Sequence, residues 1–133
     1  MDPITTLLNE GNPAIAVVGA TDNTTKYGSI IYRDLKAKGY RVYPVNPGRD
    51  EVDGDTAYPD IGDLPVTPDI VNIVVPPHQT LRVLQRAAEL GIENVWVQPG
   101  AEDEAVLDYL EAGSFAYLAR ACIMVQARVK AAQ

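Results

Sequence analysis

The chain has 133 residues, a length typical of one domain with its own core, and its apolar fraction of 47% is that of a folded protein rather than a disordered one. Its formal net charge of −7 at pH 7 argues against nucleic acid as a partner, because such binding needs clustered Lys and Arg. A small anionic ligand remains compatible with this charge, since a helix N-terminus and one or two basic side chains suffice to bind phosphate.

Strand-like and helix-like segments alternate along the sequence, which is typical of an α/β domain with a parallel sheet. Asp2 caps a short leading helix in this reading, with Pro3 at its first position and Gly11 just past its end. The continuous apolar run 14–18 predicts a strand that is buried on both faces, and Gly19 closes it.

The second helix and second strand follow the same logic. Residues 20–26 are polar and predict a loop, after which helical spacing predicts a helix over 27–38. The next strand is predicted over 40–45, where Pro44 indicates a bulge or an edge position because it cannot donate a ladder hydrogen bond. Residues 49–68 are rich in Asp, Gly and Pro and predict a long surface connection with a short element near 56–58.

The second half of the chain continues the alternation. It predicts a strand over 70–75, a helix over 78–90, a strand over 94–98, a helix over 102–112, a strand over 115–118 and a short helix in the tail to 133. Right-handed crossovers on either side of the first strand predict the order 3-2-1-4-5 or a close relative. We therefore expect one domain over 1–133 with a three-layer Rossmann-like α/β fold, in which helices flank a mainly parallel sheet of five strands or slightly more.

The single cysteine, Cys122, and the single histidine, His78, limit the redox and metal chemistry. They exclude an internal disulfide and a Cys/His zinc cluster by count. The first residues show no secretory signal pattern, and no apolar run is long enough to cross a bilayer. We expect a cytoplasmic protein with no metal site and no membrane contact.

Polar and conformationally special residues collect where the predicted strands end. In parallel α/β folds these ends share one edge, and ligands bind there beside the point where the winding reverses. Near the first strand end, Gly19 permits close backbone approach, the helix that opens at 27–29 offers free amides, and Lys26 adds a positive charge. Gly19 and Gly28 are too far apart for the G-x-G-x-x-G fingerprint, and 45–47 lacks the acidic residue of NAD domains, which disfavours NAD.

Several motifs in this order resemble the small stand-alone CoA-binding proteins, a family similar to the N-terminal CoA-binding domain of the succinyl-CoA synthetase α subunit. The resemblance covers about residues 12–126 and is carried by the segments 17–21, 26–28, 39–47, 73–77, 95–100 and 122–123. The phosphohistidine domain of the synthetase has no counterpart here, so ligase chemistry is not implied. Ala121 stands where some relatives carry a basic residue before the cysteine.

The resemblance implies that coenzyme A, or an acyl-CoA, lies along the strand ends. The residues it implies are Gly19, Ala20 and Thr21 near the pyrophosphate, Lys26 and Tyr27 beside the phosphates, Asn46 and Pro47 near the adenosine, Val75, Pro76 and Pro77 as a wall, and Gln98 and Gly100 on the pantetheine side. To these we add Arg49 as a partner of the ribose phosphate.

Three functions remain open from the sequence. The first is a CoA-binding module without catalysis, whose partner is the small-molecule nucleotide cofactor. The second is an enzyme of acyl-CoA or thioester chemistry that uses Cys122 or His78, and the third is an NAD(P)-binding regulator that acts through a protein partner. Homo-oligomerisation is compatible with each of them.

Overall fold

A parallel sheet of five strands runs through residues 3–130, the part of the chain that the structure, a computed structural model, describes. The strands in chain order are β1 (Ala14–Val18), β2 (Arg41–Val45), β3 (Glu51–Val52), β4 (Asp55–Thr56), β5 (Ile70–Ile73), β6 (Asn94–Val97) and β7 (Ala116–Ala119). The α-helices are α1 (Pro3–Glu10), α2 (Tyr27–Ala37), α3 (Pro77–Glu89), α4 (Glu104–Ala112) and α5 (Ile123–Gln126). Strands β3 and β4 form a separate antiparallel hairpin.

The order of the sheet is β2-β1-β5-β6-β7, or 2-1-3-4-5 when only the strands of this sheet are counted. The predicted order 3-2-1-4-5 is wrong in one respect, because β5 pairs with β1 and leaves β2 at the edge. Pro44 supplies the physical reason: without an N–H group, this residue suits a strand with a neighbour on one side only. The reversal of winding still lies beside β1, where the ligand crevice was predicted.

The edge of β2 is partly covered by the connection that follows it. Tyr58 forms an isolated parallel bridge with Val45. Its N–H donates to the carbonyl of Pro44 at 3.0 Å, and its carbonyl accepts from the N–H of Asn46 at 2.9 Å. The predicted element near 56–58 is therefore this bridge together with β4, and a 3₁₀ turn at Ile61–Asp63 follows.

Two apolar layers cover the two faces of the sheet, which confirms the three-layer α/β architecture. Helices α1, α2 and α5 cover one face, and α3 and α4 cover the other. All five residues of β1 are buried, and Trp96 at the centre of β6 is fully buried. Burial of each large apolar side chain contributes about 1.5–3 kcal/mol, so the sheet centre holds the strand ends in a fixed arrangement.

Two predicted boundaries differ from the structure for local reasons. Helix α4 begins at Glu104 because the Asp103 side chain caps it, accepting from the N–H of Val106 at 2.9 Å. The predicted short helix of the tail lies at Ile123–Gln126, and residues 127–130 are not helical. Its continuation is held instead by Lys130, whose Nζ donates to two carbonyls near the end of α1.

The predicted Asp2 cap and the predicted helix over 131–133 lie outside the described residues. Within residues 3–130, each helix is too short or too polar to cross a lipid bilayer.

Candidate functional site

A cleft with a volume of about 1110 Å³ opens at the carboxyl ends of β1, β2 and β5. The first turns of α2 and α3 and the segment 59–61 form its rim. Most of the residues predicted for the site line it, namely Gly19, Thr21, Lys26, Tyr27, Asn46, Pro47, Val75, Pro76, Pro77 and Gly100.

Two glycines bring α2 into contact with the end of β1. Gly19 has φ of +102°, and a Cβ there would lie 2.9 Å from the carbonyl oxygen of Val74. A Cβ on Gly28 would overlap the carbonyl oxygen of Gly19. The pair therefore allows the close backbone approach that glycines provide in dinucleotide folds, although the intervening loop separates them in sequence.

The N-terminus of α2 presents unpaired amides to the cleft. Lys26 is the N-cap residue, and no side chain caps the helix there. The N–H groups of Ser29 and Ile30 both donate to the Lys26 carbonyl, so within the described residues those of Tyr27 and Gly28 remain without a partner. Both residues line the cleft, and the first turn carries no acidic residue to compensate the helix dipole. This end of α2 can bind an anion.

Two of the basic side chains in the cleft have no ion pair among residues 3–130. They are Lys26 beside α2 and Arg82 on α3, and both are exposed. Arg86 is different, because its Nε lies 2.9 Å from Oδ2 of Asp60. The Asp60 carboxylate raises the pKa of the Arg86 guanidinium, and it also accepts from the N–H of Gly62 at 2.8 Å.

The Asp60–Arg86 pair thus ties the 3₁₀ turn to α3 within the lining of the cleft. Its two charges compensate each other. The net positive charge available to a ligand therefore comes from Lys26 and Arg82.

Asn46 lines the cleft, but the polar atoms of its side chain are used within the fold. Its Nδ2 donates to the carbonyl of Ala20 at 2.9 Å, and its Oδ1 accepts from the N–H of Gly48 at 2.8 Å. These bonds join the loop after β1 to the loop after β2. Asn46 therefore shapes the rim of the cleft between the two loops.

Three residues predicted for the site do not line the cleft. Ala20 is fully buried and packs in the core under α2. Arg49 points toward Asp22, with its Nη1 3.9 Å from Oδ2 of that residue. Gln98 is buried, and its Oε1 accepts from the N–H of Ile123 at 2.9 Å. Its side chain therefore joins the end of β6 to α5.

Cys122 and His78, the two candidates for thioester chemistry, are not brought into one site. His78 lines the cleft on the first turn of α3. Cys122 does not line it, and its Sγ accepts from Nε2 of Gln98 at 3.4 Å. In the described residues, no group of three or more His, Cys, Asp or Glu side chains is arranged to hold a metal ion.

The sequence analysis missed the polar face of α3. His78, Arg82 and Arg86 follow one another at intervals of four and all line the cleft, while Leu84 packs into the core. This spacing places them on one side of the helix. The signal was present in the sequence, but it becomes informative only once the fold turns that side toward the cleft.

Comparison with known proteins places the chain among CoA-binding domains. The family described as "CoA binding domain" matches residues 13–128. The alpha subunit of ADP-forming acetate–CoA ligase II from Pyrococcus furiosus is 37% identical over 86 residues, which are 63% of this chain and 19% of the ligase subunit. The chain therefore spans about a fifth of the length of this curated relative.

Solved structures of small proteins match over nearly their whole length. A conserved hypothetical protein from Pyrococcus furiosus superimposes with a TM-score of 0.81 at 44% identity, covering 85% of this chain and 97% of that one. A hypothetical protein from Pyrococcus horikoshii OT3 has a TM-score of 0.85 at 28% identity, covering 95% of this chain and 89% of the other.

Proposed function

The chain belongs to the CoA-binding domain family, and from this premise we propose that it binds coenzyme A or an acyl-CoA in the cleft, as a module without catalysis of its own. The observation that carries the proposal is the N-terminus of α2. There the free amides of Tyr27 and Gly28 and the unpaired Lys26 face the same open space. A diphosphate is the part of CoA that such a group of donors suits.

The residues of the cleft fit the remaining parts of CoA. Gly19 and Gly28 let α2 pack close to the end of β1, which brings the free amides at the start of α2 to the cleft. Val75, Pro76 and Pro77 supply an apolar wall that suits an adenine ring or the pantetheine chain. The volume of about 1110 Å³ lies slightly above the usual range of ligand pockets, about 300–1,000 Å³, as suits a large cofactor.

Two observations support binding without catalysis. Cys122 and His78 do not line a common cleft, so neither has the other as a base or nucleophile. The ligase relative is about five times longer than the part that matches, and its activity belongs to that whole protein.

The NAD(P) alternative is less well supported, because β2 ends at Val45 and continues into Asn46 and Pro47 with no carboxylate for the ribose hydroxyls. The cytoplasmic location, the single-domain organisation and any protein partner or homo-oligomer stay predictions.

Isothermal titration calorimetry of the purified chain with CoA, acetyl-CoA and NAD⁺ tests the proposal. We expect saturable binding of CoA and acetyl-CoA, and no displacement of CoA by NAD⁺. Mass spectrometry of small molecules released from the purified protein shows which form is carried. A folded protein that gives no heat with millimolar CoA would refute the proposal.

A further inference from the structure

We propose that Arg82 binds the phosphate monoester on the ribose of the ligand and so distinguishes CoA from dephospho-CoA and from dinucleotides that lack this group. The inference rests on the proposed function, because it assigns a residue to one part of the same ligand. Neither the sequence motifs nor the family resemblance points to this arginine.

The position of Arg82 in the cleft is the first support. It lies on α3, one turn after His78 and one turn before Arg86, and all three line the cleft. Four residues of α-helix rise about 6 Å. Along α3, Arg82 therefore lies between His78 on the first turn and Arg86, which pairs with Asp60.

The charges around Arg82 are the second support. The acidic residue of the cleft lining, Asp60, is occupied by Nε of Arg86 at 2.9 Å and by the N–H of Gly62 at 2.8 Å. Arg82 lines this cleft, is exposed and has no carboxylate partner among the described residues. A guanidinium in this setting pairs well with a phosphate, because the two bind through parallel, charge-assisted hydrogen bonds.

The separation of the two unpaired cations is the third support. Lys26 stands at the start of α2, which packs on one face of the sheet, whereas Arg82 lies on α3, which packs on the other face. One phosphate group does not need cations on both sides of the sheet. A ligand with a diphosphate and a separate monoester does, and a monoester carries about 1.5 to 2 negative charges at neutral pH.

Arg49 is the rival for the same role, since the sequence analysis assigned the ribose phosphate to it. In the structure Arg49 faces Asp22, with 3.9 Å between Nη1 and Oδ2, and it does not line the cleft. Assignment of the ribose phosphate to Arg49 and its assignment to Arg82 therefore predict opposite results. Substitution of Arg49 provides a matched control with the same change of charge.

The experiment compares the affinities for CoA and dephospho-CoA of the wild-type chain, Arg82→Gln, Arg82→Lys and Arg49→Gln by calorimetry. We expect the wild-type chain to bind CoA roughly 10- to 100-fold more tightly than dephospho-CoA, as for a charge-assisted hydrogen bond. In Arg82→Gln this ratio falls close to one, while the affinity for dephospho-CoA stays the same. Arg82→Lys keeps part of the ratio, and Arg49→Gln keeps all of it.

A preserved ratio in Arg82→Gln, a lost ratio in Arg49→Gln, or equal affinities in the wild-type chain would each overturn the assignment. Thermal unfolding checks that every variant is folded, which is expected because both side chains are exposed. If the wild-type chain binds dephospho-CoA and CoA but the ratio does not depend on Arg82, only the assignment fails. If it binds neither, the proposed function itself fails.

Discussion

The two ends of helix α2 use their lysines in opposite ways. At the C-terminal end, Nζ of Lys36 lies 3.1 Å from Asp53 and 2.9 Å from Asp55. Lys38, the C-cap residue, lies 2.8 Å from Asp34 and donates to the carbonyl of Met124 at 2.8 Å. At the N-terminal end, Lys26 has no ion pair among the described residues.

This difference separates the charges that hold the fold from the charge that, in the proposed complex, faces the ligand. The lysines with partners connect α2 to the β3–β4 hairpin and to α5. The lysine without a partner lies where the helix also leaves two amides unpaired. Solvent can satisfy the free amides and the Lys26 charge at the N-terminus of α2. Because the helix dipole is positive there, this end binds an anion more readily than any other part of the helix.

The largest effect is expected from Gly28→Ala, which would displace the N-terminal end of α2 from β1. The added Cβ would overlap the Gly19 carbonyl oxygen, so α2 must move away from β1. We expect a loss of about 3 kcal/mol in the free energy of unfolding, measured by urea denaturation, together with loss of CoA binding. Gly48→Ala is the control, because its Cβ would meet only Asn46 Oδ1, at 3.4 Å, and a change below about 0.5 kcal/mol is expected. A stable Gly28→Ala variant that binds CoA normally would contradict the role given to the glycine pair.

A pair of matched variants sharpens the comparison. Lys26→Gln is expected to weaken CoA binding about tenfold without changing the free energy of unfolding, because in the proposed complex its ammonium pairs with a phosphate and it has no ion pair among the described residues. Lys38→Gln is expected to reverse the pattern, with about 1 kcal/mol less stability and unchanged affinity, because it removes a partly buried ion pair and a bond to Met124. Calorimetry and urea denaturation of both variants measure the two quantities. Equal changes in CoA affinity and in stability for the two variants would contradict the distinction between the two ends of α2.

The smallest effect concerns the pH dependence at the C-terminal end. Hydrogen bonds from Tyr32 and Lys36 lower the pKa of Asp55. A carboxyl whose pKa is lower in the folded chain stabilises the fold above its unfolded value of about 3.9, and this stabilisation is lost as the pH falls through the lowered value. We expect Asp55→Asn to be less stable than wild type at neutral pH, by less than about 1 kcal/mol because the side chain is 40% exposed.

Denaturation of both proteins at neutral pH and again well below pH 4 measures this gap. This difference in stability should disappear in acid, where the wild-type carboxyl is protonated and therefore uncharged, like the Asn side chain. CoA affinity should be equal at neutral pH, since Asp55 does not line the cleft. A gap of constant size across the pH range would show that the Asp55 charge is not its source.

The sequence was sufficient for the elements of the fold but not for the direction of individual side chains. Apolar runs and terminal glycines identified the five strands of the sheet and the helices between them, and Pro44 indicated a bulge or an edge position in β2. The predicted order placed another strand outside β2, which the edge position of β2 excludes. Gln98 directly follows β6, and no pattern in one sequence says that its side chain turns toward Ile123.

The two arginines show the same limit in the candidate site. Arg49 was added from the sequence as a partner of the ribose phosphate, whereas Arg82 was not considered. The proximity of Arg49 to Asp22 and the packing of α3 support the proposed role of Arg82, and both depend on contacts between segments that are distant in the chain.

The row of α3 side chains along the cleft lies opposite the residues that anchor this helix. Leu84 and Ala87 are fully buried against the sheet, whereas His78 and Arg82 stand in solvent. Under the proposed role of Arg82, ligand selectivity and thermodynamic stability are encoded on separate sides of one helix. Exchange of a solvent-facing residue on α3 would then alter the preferred cofactor without disturbing the core, which makes this row a starting point for engineering.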